Sequence, residues 1–261
     1  MEREMEKEIK EGIKEKMKEK LEEEMTWSDR TLKYYNEHAD AFSQDTFHVK
    51  FTQTQEAFLS LLKPHSRILD FGCGSGRDTR YFLKKGYCVE AIDGSEKMCE
   101  IAKEHTGIQV RQMMFQDLSE IDKYDGIWAC SSILHLPRKE LLVVIPKMFR
   151  ALKRNGIIYT SFKYGAFEGN RNGRYFTDFT EESFIEFLEQ LKCSKTEKEQ
   201  FKRTNQTDSN SNESESIRKI EREKPEKPGN FEISTEKIWI TGDARPGRGD
   251  EKWLNLILRK M

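Results

Sequence analysis

Residues 68–78 read ILDFGCGSGRD, from Ile68 to Asp78, and this stretch decides the fold. Ile68, Leu69 and Phe71 form a short apolar run, which predicts a buried strand. The run passes into Gly72-x-Gly74-x-Gly76 and then into a helical stretch holding Tyr81, Phe82 and Leu83. Glycines let the backbone bend sharply and approach a ligand with no Cβ in the way. The helix N-terminus behind them adds free N–H groups and a partial positive charge. A glycine-rich bend alone is a weak signal, because dinucleotide folds carry one too. Here the spacing is GxGxG, not GxGxxG, and Asp70 stands just before the first glycine. That carboxylate would repel a diphosphate and attract a cationic amino group.

The β–α alternation continues outward from this point. Cys88 to Ile92 reads as a second strand ending at Asp93, and Ser95 to His105 as a helix with Ser95 as its N-cap. Ile108 to Met114 is a third strand, Gly126 to Cys130 a fourth, Leu141 to Leu152 a helix and Gly156 to Phe162 a fifth strand. Short loops between such elements imply a parallel sheet with helices on both faces, and right-handed crossovers favour a doubly wound α/β arrangement. Asp93 can accept the hydroxyls of a ribose. Asp117, in Phe115-Gln116-Asp117, can accept from an adenine amino group while Phe115 covers the ring. The alternative is that these aspartates cap helices or turns. Asp125 reads as a structural turn residue.

The flanks differ. Residues 1–25 are a Glu/Lys segment with an apolar residue at every fourth position from Met1 to Met25, predicted to be a charged helical extension. Residues 26–63 predict two helices, the second stopped by Pro64. Glu181 to Leu191 is another amphipathic helix. Residues 194–230 are so polar that burial cannot offset chain entropy, and they read as a disordered insertion. Phe231 to Ile240 and Trp253 to Leu258 predict a final antiparallel pair. The main domain thus comprises 26–193 and 231–261.

Composition narrows the classes. Lys and Arg number 45 against 46 Asp and Glu, so a protein held to nucleic acid by its overall field is not expected. No apolar run approaches the ~20 residues that span a bilayer. The first residues are charged throughout, so the chain is read as cytoplasmic. Cys73, Cys88, Cys99, Cys130 and Cys193 form no CxxC pair, and no metal site is predicted.

Asp70, Gly72, Gly74 and Gly76, followed by Asp93, Asp117 and a strand opened by Tyr124-Asp125-Gly126, resemble the class I S-adenosylmethionine-dependent methyltransferases. The likeness runs roughly from Tyr34 to Glu189 and resumes at Phe231. GCGSGRD, and Ser131-Ser132-Ile133-Leu134-His135-Leu136-Pro137, resemble the small-molecule branch, which includes tellurite-resistance and ubiquinone-biosynthesis-type enzymes. The resemblance implies a Rossmann-like seven-stranded sheet of order 3-2-1-4-5-7-6 with strand 7 antiparallel. It implies S-adenosyl-L-methionine as cofactor, held by Asp70, Gly72, Cys73, Gly74, Gly76, Asp93, Gly94, Phe115, Gln116, Asp117 and Ser131.

Methyl transfer from a sulfonium needs alignment, exclusion of water and sometimes a proton acceptor, and no metal. His135 is the candidate general base by pKa, the alternative being a packing histidine. Strand ends and the N-terminal helix offer Tyr34, Tyr35, Lys163, Tyr164, Arg174 and Arg245 toward an acceptor. Arg174 and Arg245 point to an anionic small-molecule acceptor, unless they bond Asp178, Asp243 or Asp250. A nucleic-acid or protein methyltransferase, or a cofactor-binding module without turnover, are the competing functions. The oligomeric state does not follow from the sequence.

Overall fold

A computed structural model of the chain describes residues 24–191 and 232–261. The polar insertion 194–230, and all but the last two residues of the 1–25 extension, lie outside the described residues. Three helices open the described part: α1 (Trp27–Glu37), α2 (Ala39–Phe47) and α3 (Thr52–Leu59). The sequence predicted two. The difference is His38, a single non-helical residue (φ −114°, ψ 17°) that divides one apparent periodic stretch. Thr26 starts α1 with a capping box: its hydroxyl accepts from Asp29 N–H at 3.2 Å and its own N–H donates to the Asp29 carboxylate at 3.1 Å.

The alternation follows: β1 (Arg67–Phe71), α4 (Arg77–Lys84), β2 (Cys88–Asp93), α5 (Glu96–Thr106), β3 (Val110–Gln112), β4 (Tyr124–Ala129), α6 (Arg138–Ala151) and β5 (Leu152–Lys163). Then come β6 (Glu168–Arg171), β7 (Arg174–Thr177), helix α7 (181–191), β8 (Ile233–Gly242) and β9 (Lys252–Lys260). The seven-stranded sheet has the order β3-β2-β1-β4-β5-β9-β8, with β9 antiparallel to both neighbours. With β6 and β7 set aside as a separate two-stranded ribbon, this is the predicted order. Ser95 caps α5 as expected, accepting from Met98 N–H at 3.2 Å. Asp125 accepts from Arg67 N–H at 2.7 Å and pairs with Lys153, the structural role read for it.

The core lies on both sides of the sheet because successive side chains of a strand point to opposite faces. Leu69 joins a cluster with Ile127, Phe149 and Phe162, covered by α6 and α7. Its neighbour Ile68 joins Phe58, Phe82, Trp128 and Tyr159, covered by α3 and α4. Both are fully buried, as is the whole of β1 after Arg67. Such two-sided burial explains the unbroken apolar reading of the parallel strands.

The β6–β7 ribbon is an element that the sequence analysis does not predict. Its signal was present: Asn172 and Gly173 have φ of 51° and 77°, the pair of positive values that a two-residue hairpin turn demands. Among the described residues no helix is long and apolar enough to cross a membrane.

Candidate functional site

A cavity of about 230 Å³ opens at the carboxyl ends of the parallel strands, where doubly wound sheets bind ligands. The glycine bend forms its floor. Gly72, Gly74 and Gly76 have φ of 85°, 53° and 81°. A Cβ on Gly72 would lie 2.5 Å from Ser132 Cβ, and one on Gly76 would lie 2.8 Å from Thr106 Cγ2. The first glycine therefore gives the bend its approach to the cavity, while the third lets α4 pack on α5. Gly72 and Cys73 N–H both donate to Ile92 O, which ties the bend to the end of β2.

Asp93 fixes the bend from the other side. Its two carboxylate oxygens accept from Gly74 N–H and Ser95 N–H, each at 2.9 Å. Burial raises its pKa, and these N–H groups only partly oppose the shift. Asp93 faces the cavity as predicted, and it is also the latch of the glycine bend.

Asp70, 2% exposed, accepts from the Thr79 hydroxyl at 2.5 Å. Burial, and then the charge of Asp78, push its pKa well above the ordinary carboxylate range. Asp78 behaves oppositely. Burial works against its ionised form, but the Arg77 guanidinium and the N–H donors of Trp128 and Gln55 outweigh it and lower the pKa. Arg77 grips Asp78 at 2.9 and 2.8 Å, Gln55 Nε2 donates at 2.6 Å and Trp128 Nε1 at 2.8 Å. Sequence reasoning missed Arg77, Asp78 and Gln55 as parts of the site. Arg77 and Asp78 closed the stretch that decided the fold, but their partners come from α3 and β4.

The remaining predicted cofactor contacts divide. Cys73, Gly94, Phe115 and Ser131 line the cavity. Phe115 rests on Phe71 with ring centroids 4.7 Å apart, and a Cβ on Gly94 would come within 2.8 Å of Leu32 Cδ2. Ser131 holds a left-handed φ of 52°, steadied by its N–H donating to Ser161 Oγ at 2.9 Å. Gly76, Gln116 and Asp117 do not line it. Gln116 turns toward Glu140 at 3.5 Å, its backbone oxygen accepting from Lys147. Asp117 is exposed beside the short 3-10 turn Phe115–Asp117.

His135 lines the cavity, but its chemistry differs from the expectation. One ring nitrogen, Nδ1, lies 2.6 Å from Tyr175 O and must donate to that carbonyl. Nε2 is then an acceptor, and it takes the Tyr35 hydroxyl proton at 2.8 Å. Burial lowers the His135 pKa to about 3, with Tyr175 O opposing and Arg174 adding to the fall. A histidine so neutral, with both nitrogens engaged, is a poor general base, and the geometry corrects that reading to one of orienting Tyr35.

The acceptor-side candidates also divide. Tyr35, Lys163, Arg174 and Arg245 line the cavity, whereas Tyr34 and Tyr164 do not. Tyr34 instead supports Arg174, whose guanidinium carbon sits 4.2 Å from its ring centroid. The Tyr164 hydroxyl lies outside the cavity, and the neighbouring Glu181 carboxylate raises its pKa. Arg245 is paired with Asp243 through two bonds of 2.9 and 2.5 Å, and Asp178 is taken by Arg171 at 2.8 Å. Lys163 pairs with Glu251. Trp27, Leu32, Phe42, Phe51 and Phe176 complete the walls, and sequence reading did not single them out for the site. Among the described residues no cluster of three His, Cys, Asp or Glu could hold a metal ion.

Comparison with known proteins places this geometry. Residues 68–156 match the family described as a methyltransferase domain. A Bacillus subtilis protein assigned to the methyltransferases, YqeM, is 29% identical over 140 residues, covering 49% of this chain and 57% of its own. The ubiquinone biosynthesis O-methyltransferase of Pasteurella multocida is 26% identical over 111 residues, covering 36% of this chain and 45% of its own. The chain thus spans about half the length of the curated relatives it matches. Among solved structures, a Burkholderia thailandensis 1,6-didemethyltoxoflavin-N1-methyltransferase with S-adenosylhomocysteine bound superposes with a TM-score of 0.60 at 17% identity, over 88% of this chain and 85% of that one. A TehB-like methyltransferase from Corynebacterium glutamicum gives 0.54 at 15% identity, over 86% and 98%. The fold is that of the class I S-adenosylmethionine-dependent methyltransferases, and the stretch 68–156 is similar to a methyltransferase domain.

Proposed function

We propose, with the class I methyltransferase fold as premise, that this protein uses S-adenosyl-L-methionine to methylate a small-molecule acceptor, one that is anionic. The observation that carries the reading is the pair Asp70 and Asp93, at the ends of adjacent strands on either side of the glycine bend, facing one cavity.

The residues present fit the cofactor. An ammonium group beside Asp70 would relieve the energetic penalty that burial and Asp78 impose on its ionised form. Asp93 keeps lone pairs for ribose hydroxyls beyond those its two backbone donors occupy. Met114 and Phe115 supply apolar contact for a purine, and the lack of a Cβ on Gly94 lets Leu32 pack against it at the cavity wall. When bound, the cofactor supplies an electrophilic methyl group on a sulfonium.

The chain's own residues do the rest. The aromatic and aliphatic wall from α1 and α2 excludes water from the carboxyl edge. The Tyr35 hydroxyl donates its hydrogen bond to His135 Nε2, so the Tyr35 oxygen presents lone pairs to the cavity and holds hydrogen donors in place. Positioning of the acceptor accounts for catalysis in this reading, since orientation alone can supply about 7 kcal/mol or more.

The test is calorimetry with S-adenosylhomocysteine, followed by incubation with methyl-labelled cofactor and a small-molecule extract. Micromolar binding and label in a low-mass product are expected. Label in protein or RNA would instead support a macromolecular acceptor, and binding with no transfer would support a cofactor-binding module.

A further inference from the structure

Resting on the methyl-transfer reading, we infer that Arg174 is the acceptor's anchor and that the acceptor carries a carboxylate. The charge balance of the cavity wall points there. Five Lys and Arg side chains line the cavity: Arg77, Lys163, Arg174, Arg245 and Arg248. Four have a carboxylate within 4 Å, namely Asp78 for Arg77, Glu251 for Lys163 and Arg248, and Asp243 for Arg245. Arg174 has none among the described residues.

What holds Arg174 is aromatic. Its guanidinium carbon lies 4.2 Å from the Tyr34 ring centroid, 5.2 Å from Phe176 and 5.7 Å from Tyr35. These faces stabilise a cation and fix its plane without neutralising it. Its one polar contact among the described residues is Nη1 to the Tyr35 hydroxyl, long at 3.5 Å. The Nε–H is buried and has no acceptor. A buried donor left without an acceptor is costly, and a ligand that supplies the acceptor accounts for its retention here. A planar carboxylate suits the fork, because two parallel N–H donors match its two oxygens. The neighbouring wall, Trp27, Phe176 and Leu136, gives the rest of the acceptor an apolar bed.

The cofactor has a carboxylate of its own, so the experiment must separate the two. Wild type, R174Q and R174K are each titrated with S-adenosylhomocysteine and with 5′-methylthioadenosine, which lacks the amino-acid portion. Benzoate and benzamide are then titrated into the protein saturated with S-adenosylhomocysteine. Thermal melting checks that the variants are folded. Expected are benzoate binding at least about tenfold tighter than benzamide in wild type, no such preference in R174Q, and partial preference in R174K. S-adenosylhomocysteine affinity of R174Q should stay within about threefold of wild type.

Equal binding of benzoate and benzamide to wild type would overturn the assignment. So would a tenfold loss of S-adenosylhomocysteine affinity in R174Q with 5′-methylthioadenosine unchanged, since Arg174 would then serve the cofactor. Failure of wild type to bind S-adenosylhomocysteine at all would overturn the parent reading instead.

Discussion

The two walls of the cavity are built on different principles. On the β1–β2 side, backbone does the positioning: Asp93 is bonded to the N–H groups of Ser95, two residues on, and of Gly74, 19 residues back on the adjoining bend. On the β5–β9 side, long side chains meet from remote segments. Tyr35 and His135 are 100 residues apart, Arg174 and Tyr35 139, and Lys163 and Glu251 88. A local, backbone-held cradle suits a ligand that stays the same. An assembly of distant side chains lets the second ligand vary while the first is kept.

That contrast can be broken from either side. The largest effect is expected at the bend. Gly72→Ala places a Cβ 2.5 Å from Ser132 Cβ at a φ of 85°, so both strain and overlap oppose it. A loss of about 3 kcal/mol or more, over a hundredfold in S-adenosylhomocysteine affinity, is expected by calorimetry. Next is Asp93→Ala. It removes a ligand partner and also unlatches Gly74 and Ser95, so affinity should fall about 10–100-fold and stability by about 1–3 kcal/mol in urea. A variant that lost affinity but no stability would show that the latch is dispensable.

Acidity gives the next effect. The Asp70 pKa is raised in the fold, so the folded state holds a proton that the unfolded state releases. The stability from this site is full below the ordinary carboxylate range and is lost as pH rises through the elevated pKa. A ligand ammonium requires the ionised form, so S-adenosylhomocysteine should bind more tightly as pH rises from 6 to 8, with proton release. The gain is at most about tenfold per pH unit. Calorimetry in buffers of different ionisation enthalpy checks it, and a flat profile would mean that Asp70 is already charged.

His135 has the opposite sign. Its pKa is lowered to about 3, so it stays neutral in the fold where the unfolded chain takes up a proton. Its contribution is complete above roughly pH 6.5 and declines as pH drops toward 3, by at most about 1.4 kcal/mol per unit. His135→Asn should flatten that slope in melts between pH 7 and 4.5. The smallest effect is expected at Asp117, exposed and outside the cavity. Asp117→Ala should change affinity by less than about threefold, under ~0.7 kcal/mol. A larger loss would extend the cradle to its rim.

The same contrast explains what the sequence made legible. The strand order and the roles of Gly72, Asp70 and Asp93 follow from short-range spacing, and the fold bears out the order. The β6–β7 ribbon escaped because Glu168-Gly169-Asn170-Arg171 has no apolar alternation, although Asn172-Gly173 marked its turn. His135 looked like a base because its pKa in water suits one. Burial and the carbonyl of Tyr175, which no local pattern announces, decide otherwise. Tyr164 and Arg245 were sensible by position on the sheet edge, but Tyr164 lies outside the cavity and Asp243 holds Arg245.

His38 remains as a mechanical element. One residue separates α1 from α2, so the angle between the two helices is set by the two torsions of His38. Trp27, Leu32 and Tyr35 ride on that one lever, and Thr31 ties it to the ribbon through Tyr175 N–H at 3.1 Å. Cavity-facing residues of α1 therefore share one rigid segment, so their spacing to one another is set by a single helix and their place against the ribbon by that one bond.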